Sequence, residues 1–317
     1  MTAQFDVVGV GLNAVDTIVV APHFPAYGGK APFTRDFYSV GGQVATAIVA
    51  CARLGLRTKY IGTVGDDERA RLQMDSLRES GVNVDHVQQR RNCPNQSAYI
   101  IVDESTGERT IFWKRPDCLA IAPEAIAPDQ IACARLLHID GHDTAAVERA
   151  ARIAREHAIP VTVDVDTIYA GFEHVLPLVD YLIASSEFPR RWTGIDDPFQ
   201  ALEAIQEKSG MRVAAMTLGA HGALARAEGE FIYSPAFVVN CIDTTGAGDV
   251  FHGAFCYAVL QQMPLPGALE FANAMAALNC TSYGARGGIA TAAQALDLMA
   301  RGERRSQPEI ASRVRAR

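Results

Sequence analysis

Ile242-Asp243-Thr244-Thr245-Gly246-Ala247-Gly248-Asp249-Val250-Phe251-His252-Gly253-Ala254-Phe255 is the stretch from which the rest of the chain is best read. A short glycine-containing turn runs straight into an apolar-periodic segment, where Val250, Phe251, Ala254, Phe255, Ala258 and Val259 share one broad face. That spacing predicts a helix, and a helix start leaves backbone N–H groups without intrahelical acceptors. With the macrodipole, roughly half a positive charge, they attract phosphate-like anions. Gly246 and Gly248 keep side chains out of the anion's way. Asp249 then stands out. A carboxylate beside an anion repels it, unless its task is to take a proton from a group attacking that anion. An anion hole with a base beside it is what phosphoryl transfer to an alcohol requires. The plainer reading is a first-turn cap, worth roughly 0.5–2 kcal/mol. The Asp-Thr-Thr lead-in and the remainder of the chain favour the base.

The chain has 317 residues, 49% of them hydrophobic, enough for one large core with a small appendage. A formal net charge of −7 implies no broad basic surface, which argues against nucleic acid as a partner. Basic residues concentrate in the tail at Arg301, Arg304, Arg305, Arg313, Arg315 and Arg317, diluted by Glu303 and Glu309, so a solvated end is expected. Seven cysteines form no CxxC, and Cys51, Cys256 and Cys280 lie in apolar runs. Reduced, buried thiols and a cytoplasmic location are expected. Residues 1–6 carry neither the basic nor the apolar run of a secretory signal, and no apolar stretch reaches membrane-spanning length, so no membrane partner is expected.

Outward from the anion turn, the pattern alternates. Strands are expected at 5–11, 60–64, 136–140, 161–165, 181–184 and 213–218, and helices at 43–54, 66–80, 145–157, 198–209, 250–262, 266–280 and 292–301. Repeated strand–helix units predict an α/β fold with a mainly parallel sheet covered on both faces. Strand-like 16–21 has no helix after it, and 96–102 with 109–113 reads as a hairpin around Ser105-Thr106-Gly107. These pieces, near 13–40 and 94–117, are expected to form a small β-sheet lid on a single domain spanning 1–317.

Ligands in such sheets bind beyond the carboxyl ends of the strands. Asp16, Asp140-Gly141-His142-Asp143, Ser185-Ser186-Glu187 and Thr217-Leu218-Gly219-Ala220-His221-Gly222 fall there, and one cleft could gather them with the anion turn. Asp140 and Asp143 equally suit helix capping, and Gly219 and Gly222 a plain connection. Gly9-Val10-Gly11 is followed by strand rather than helix, which argues against a dinucleotide fingerprint. Gly28-Gly29-Lys30 lacks the P-loop spacing, the eight histidines match no zinc spacing, and no serine sits in a nucleophile elbow.

Two motifs resemble the ribokinase-like, or pfkB, carbohydrate kinase family: Gly41-Gly42-Gln43-Val44-Ala45-Thr46-Ala47 through Gly55, followed by Ile61-Gly62-Thr63-Val64-Gly65-Asp66-Asp67, and Asp243 through Phe251. Gly107-Glu108-Arg109 and Thr217-Leu218-Gly219 also resemble family positions. The resemblance implies a ribokinase-like three-layer fold with a lid often used for homodimer contacts, and transfer of the ATP γ-phosphoryl group to a sugar hydroxyl with Mg²⁺. It places Asp249 as the base and Gly246, Ala247 and Gly248 as the anion hole. Asp16, Gly41, Gly42, Gln43, Thr46 and Trp113 fall on the sugar side. Thr217, Gly219, Gly222, Thr245 and Asn273 fall on the nucleotide side. Asp243 and Thr245 match positions that hold a monovalent cation, K⁺, in some members.

The departures bear on substrate and metal. Thr46 stands where members often have Asn, which implies an altered sugar contact. The metal motif is reduced to Ala184-Ser185-Ser186-Glu187, leaving Glu187 to act on Mg²⁺ through water. The loop Gly284–Ile289 runs into Ala290, where Pro is frequent. The runs Val44–Ala47 and Phe251–Ala254 look most like the ketohexokinase and sulfofructose kinase-like branch. Trp113-Lys114-Arg115-Pro116 and Asp140 do not suit a sulfonate, so that substrate is not carried over. Lys30, Lys114 and Arg115 leave an anionic sugar open beside solvated lid charges. Two rivals stay open: a nucleoside kinase with Tyr99, Phe112 and Trp113 around a base, and a catalytically silent sugar-binding regulator.

Overall fold

The computed structural model describes residues 3–316. Its main strands, in chain order, are β1 (Phe5–Val10), β2 (Ala14–Ala21), β3 (Arg35–Gly41), β4 (Thr58–Ile61), β5 (Ser97–Asp103), β6 (Arg109–Lys114), β7 (Ala134–Ile139), β8 (Val161–Val165), β9 (Tyr181–Ala184), β10 (Val213–Thr217), β11 (Ala223–Ala227) and β12 (Glu230–Ser234). Eight of them make one sheet in the order β12-β11-β10-β9-β8-β7-β1-β4. Pairing is parallel from β10 to β4 and antiparallel at the β11 and β12 edge. The strands in the middle are continuous apolar runs because helices cover both faces: Val7, Val8, Val10, Val161, Val163 and Leu182 have no exposed surface. The main helices are α1 (Gln43–Arg53), α2 (Glu68–Glu79), α3 (Thr144–Glu156), α4 (Glu187–Thr193), α5 (Pro198–Ser209), α6 (Ala247–Leu260) and α7 (Leu265–Asn279). One face of the sheet packs on α3 and its neighbours; the other packs on α1, α6 and α7. The helices α1 and α6 touch so closely that a Cβ on Gly253 would lie 2.4 Å from Ala47 O.

The remaining four strands form the lid sheet, in the order β3-β2-β5-β6. Alternation sets its faces. Ile18, Val20, Ile100 and Val102 are buried on one side, and Thr17, Tyr38, Tyr99 and Phe112 stand together on the other. The lid pieces expected from sequence thus pair with one another rather than with the large sheet.

Several expectations need correction. The thiols are not all reduced: Cys93 and Cys118 are joined by a disulfide that ties the segment before β5 to the segment after β6. The basic tail is solvated at Arg301, Arg305 and Arg315 as expected, but it is folded against the body and not a free end. Arg304 and Arg305 pair with Ala236 and Phe237, Pro308–Arg315 is helical, and Arg304 and Arg313 bind Glu270 and Asp197; Arg317 lies outside the described residues. Asp143 precedes α3 without capping it through its side chain and instead pairs with Arg115 at 2.6 Å. Asp140, wholly buried, accepts from Leu12 N and His142 N at 2.6 and 3.0 Å. Among the described residues no helix is long and apolar enough to cross a membrane.

Candidate active site

The carboxyl ends of β8, β9 and β10 face the start of α6 across a cleft of about 490 Å³. Asp164 and Asp166 enter from β8, Ser185 from the end of β9, and Thr217, Gly219 and Gly222 from the end of β10. Gln43 lies at one side and Arg109 of the lid at another. Gly246, Ala247, Gly248, Asp249 and Asn273 complete the wall. Nine residues expected from sequence therefore meet in one place.

Gly246 makes the turn possible. Its φ of 74° is left-handed, and a Cβ there would fall 2.4 Å from Ala285 O. The helix starts at Ala247, three residues earlier than periodicity indicated, because the cap is this glycine and not a side chain. Val250 N donates to Gly246 O at 2.9 Å, while the N–H groups of Gly248 and Asp249 have no acceptor among the described residues. The free donors thus line an open cleft beside Asp249.

The Asp249 carboxyl is partly exposed to that cleft and not sealed in the interior. Dehydration by its surroundings pushes it up to about 7, and the nearby Asp164 carboxylate adds to the rise; His252 and Arg109 oppose it. Asp164 itself is raised well above the usual carboxylate range by burial. His252 lies beside Asp164, with Nδ1 at 2.7 Å from Gly248 O and 3.5 Å from Asp164 Oδ2. Arg109 donates to Thr244 Oγ1 at 2.6 Å, bringing a lid cation to the rim of the anion turn.

The sugar-side residues lie next door, and Asp16, Gly41, Gly42, Thr46 and Trp113 are not on the cleft wall itself. Asp16 is 6% exposed, its Oδ1 is buried without a hydrogen-bond partner, and burial pushes its pKa up to about 6. Gly42, at φ 95°, lets the chain enter α1 with Asn13 Cα only 2.3 Å from where a Cβ would be. Thr46 is wholly buried, and its hydroxyl accepts from Arg286 Nε at 3.2 Å. Arg286 also donates to Gly41 O and Ser76 Oγ, each at 3.1 Å. Trp113 lies on the same lid face as Arg109, its ring 6.5 Å from that of His142.

On the nucleotide side, Asn273 is a wall residue whose amide ties down Ser234 and Pro235. Thr245 is buried behind the wall with Oγ1 unpartnered, and Asp243 is wholly buried. Asp243 accepts from Thr245 N and Gly284 N, both at 2.8 Å. Glu187 is exposed at the first turn of Glu187–Thr193 and does not line the cleft. Sequence reading overlooked Asp164, Asp166, His252, Arg286 and Cys241. The two aspartates carried a readable signal, acidic residues at the carboxyl end of the Val161–Val165 strand. A second cavity of about 490 Å³ opens at the opposite, amino-terminal ends of the strands, but its Arg135 and Arg212 are engaged by Asp6 and Asp180.

A family model described as pfkB family carbohydrate kinase matches residues 5–292. The chain is 25% identical over 296 residues to the ribokinase of Haemophilus influenzae, covering 91% of this chain and 96% of that one. The ribokinase of Arabidopsis thaliana, solved with ribose and ATP, superposes with a TM-score of 0.76 at 23% identity, over 94% of this chain and 99% of that one. An adenosine kinase from Sinorhizobium meliloti superposes with a TM-score of 0.80 at 22% identity, over 93% and 99%. At these identities the two solved structures show a shared fold.

Proposed function

The chain belongs to the pfkB family of carbohydrate kinases, and from that premise we propose that Asp249 is the general base in transfer of the ATP γ-phosphoryl group to a hydroxyl of a small sugar. The observation that carries this reading is the pairing of free Gly248 and Asp249 N–H groups with the Asp249 carboxylate on one open wall. The acceptor hydroxyl gives its proton to Asp249 as it attacks. Charge on the transferred group is met by the backbone of the Gly246-Ala247-Gly248 turn, through the free Gly248 and Asp249 N–H groups, since Ala247 N already donates to Thr244 O at 3.3 Å, and by Arg109. Thr217, Gly219, Gly222 and Asn273 border the nucleotide. Asp16 offers its unpartnered Oδ1 to sugar hydroxyls, with Gly41, Gly42, Gln43 and Trp113 around it, and Thr46 acts through Arg286.

ATP brings Mg²⁺, which supplies charge neutralisation at the phosphates. Among the described residues no cluster of three or more His, Cys, Asp or Glu is arranged to hold a metal. Mg²⁺ commonly keeps several waters and is held by phosphates with one or two carboxylates. Asp166, exposed on the cleft wall, and Asp164 behind it are the carboxylates placed to do so, in preference to Glu187. Asp243, buried with no cationic side chain paired to it among the described residues, and the unpartnered Thr245 Oγ1 suit a monovalent cation such as K⁺. ATP as donor supports a cytoplasmic location, and the exposed lid face supports a homodimer.

The nucleoside reading loses its main support. Phe112 neighbours Trp113 along β6 and so faces the other way, with Tyr99 directly opposite Phe112. Both rings stand on the lid face turned from the cleft, leaving Trp113 alone on the inner side.

Replacing Asp249 with Asn tests the assignment. Turnover should fall by about 10²–10⁴ while sugar binding measured by calorimetry persists. Its thermal midpoint near neutral pH should not fall. The folded protein keeps a proton on Asp249 from pH 3.8 up to about 7 that the unfolded chain has released, so ionisation weakens the fold as pH rises through that window. Near-normal turnover in this variant would remove Asp249 from the reaction. Parallel assays on aldoses, ketoses and nucleosides identify the acceptor.

A further inference from the structure

Two cysteines that phosphoryl transfer does not use stand on the wall of the same cleft. Cys241 precedes the anion turn, Cys280 follows α7, and both line the cavity. Backbone bonds hold the two segments together: Ile242 N donates to Cys280 O at 2.7 Å and Asp243 N to the same oxygen at 3.3 Å. The two side chains therefore enter the same cavity from adjoining backbone. Cys280 is nearly buried, whereas Cys241 is partly exposed.

The other neighbour of Cys241 is the tip of the lid hairpin. A Cβ on Gly107 would come within 3.1 Å of Cys241 Sγ, so the sulfur fills the contact. The same tip is fixed to the anion turn by Thr244 Oγ1, which donates to Gly107 O at 3.3 Å and accepts from Arg109 at 2.6 Å. Adding a group to Cys241, or turning its sulfur toward Cys280, disturbs the contact that seats the hairpin tip, and Arg109 with it, where phosphate charge is met.

We propose that Cys241 and Cys280 form a thiol modification site for small-molecule disulfides, with Cys241 attacked first and Cys280 resolving the adduct, and that its modification switches the kinase off. In the first step the Cys241 thiolate attacks one sulfur of the disulfide. The S–S bond breaks, and one small thiol leaves with the electron pair and takes up a proton. In the second, Cys280 loses its proton to water and attacks Cys241 Sγ, releasing the second small thiol. The protein gives up two electrons and the disulfide gains them. Cys241 is the partly exposed member of the pair and Cys280 the nearly buried one, so an incoming disulfide reaches Cys241 first. Partner thiol, access and crowding at the lid are separate observations, and they converge on this sulfur.

The loss of turnover rests on the kinase reading; the covalent change does not. The experiment treats the whole protein with glutathione disulfide, maps thiols by peptide mass spectrometry, and measures ATP turnover before treatment, after it, and after dithiothreitol. The parent should acquire a Cys241–Cys280 disulfide, lose turnover and regain it on reduction, with ATP slowing the reaction. Cys280→Ser should stop at a mixed disulfide on Cys241. Cys241→Ser should leave Cys280 unmodified and keep whatever turnover it had before treatment. Free Cys241 and Cys280 under conditions that modify the partly exposed Cys133 would overturn the proposal. So would loss of turnover in Cys241→Ser equal to the parent's, which would trace the effect to another thiol or to Cys93–Cys118. Absence of ATP turnover before treatment would count against the kinase reading alone, because the mapping still reports the modification.

Discussion

At the scale of single residues, the site is a set of carboxylates whose neighbours decide when each is charged. Asp249 must be ionised to accept a proton, yet burial and Asp164 hold it up to about 7. The turnover-to-affinity ratio kcat/KM should therefore fall as pH drops below about 7, following the base in the free enzyme. Asp164→Asn removes the adjacent negative charge and should move that limb to lower pH. His252→Gln removes an opposing influence and should move it higher. A limb that stays in place in both variants would show that another group titrates. Asp249 and its glycines were legible because they are contiguous: one turn presents donors and base together. Arg286 was not, since it meets Thr46 from 240 positions away and only folding brings them together. Sequence shows the Thr46 hydroxyl, but not that a guanidinium donates to it.

At the scale of elements, the anion turn works only as part of a clamp with the loop after α7. Gly246 abuts Ala285, Gly284 N reaches Asp243, Ala285 N reaches Ser39 of the lid, and Arg286 reaches Gly41 at the end of β3. The buried Asp243 charge at the centre of this clamp is balanced only by backbone donors among the described residues. A monovalent cation would offset it and stiffen the turn that meets the phosphates. Potassium chloride, compared with N-methylglucamine chloride at equal ionic strength, should raise the thermal midpoint and lower the KM for ATP. Asp243→Asn should abolish the difference in melting. Equal melting curves and kinetics in the two salts would mean that the clamp closes without an ion. Helices with strong periodicity and ordinary breakers, such as Pro198–Ser209 and Ala292–Arg301, match their expected limits. The β11–β12 hairpin went unread because its turn is Glu228-Gly229, with φ 51° and 85°. Glutamate is an uncommon first residue in such a turn, where Asn or Asp is the usual signal.

At the scale of the whole molecule, alternation of strands and helices announced the parallel sheet, and the two helix-free segments announced a lid. What the chain pattern could not show was which lid face meets the cleft. That follows from Arg109 bonding to Thr244, which turns Trp113 inward and Phe112 outward. Tyr38, Thr17, Tyr99 and Phe112 then lie side by side across four strands, with the three rings 52%, 56% and 59% exposed. Burying an aromatic row of this kind against a second copy would remove apolar surface from water, and it would hold each lid from outside while the other face works on substrate. The protein should sediment as a dimer. The double change Tyr99→Glu and Phe112→Glu should shift it to monomer, because a two-fold contact would oppose unpaired carboxylates in a desolvated patch. Circular dichroism should stay unchanged, since neither side chain belongs to the lid's buried side. If the parent sediments as a monomer, or the double variant remains dimeric, the aromatic face is not the contact and the lid must be held by its own β2–β5 pairing and the Cys93–Cys118 tie.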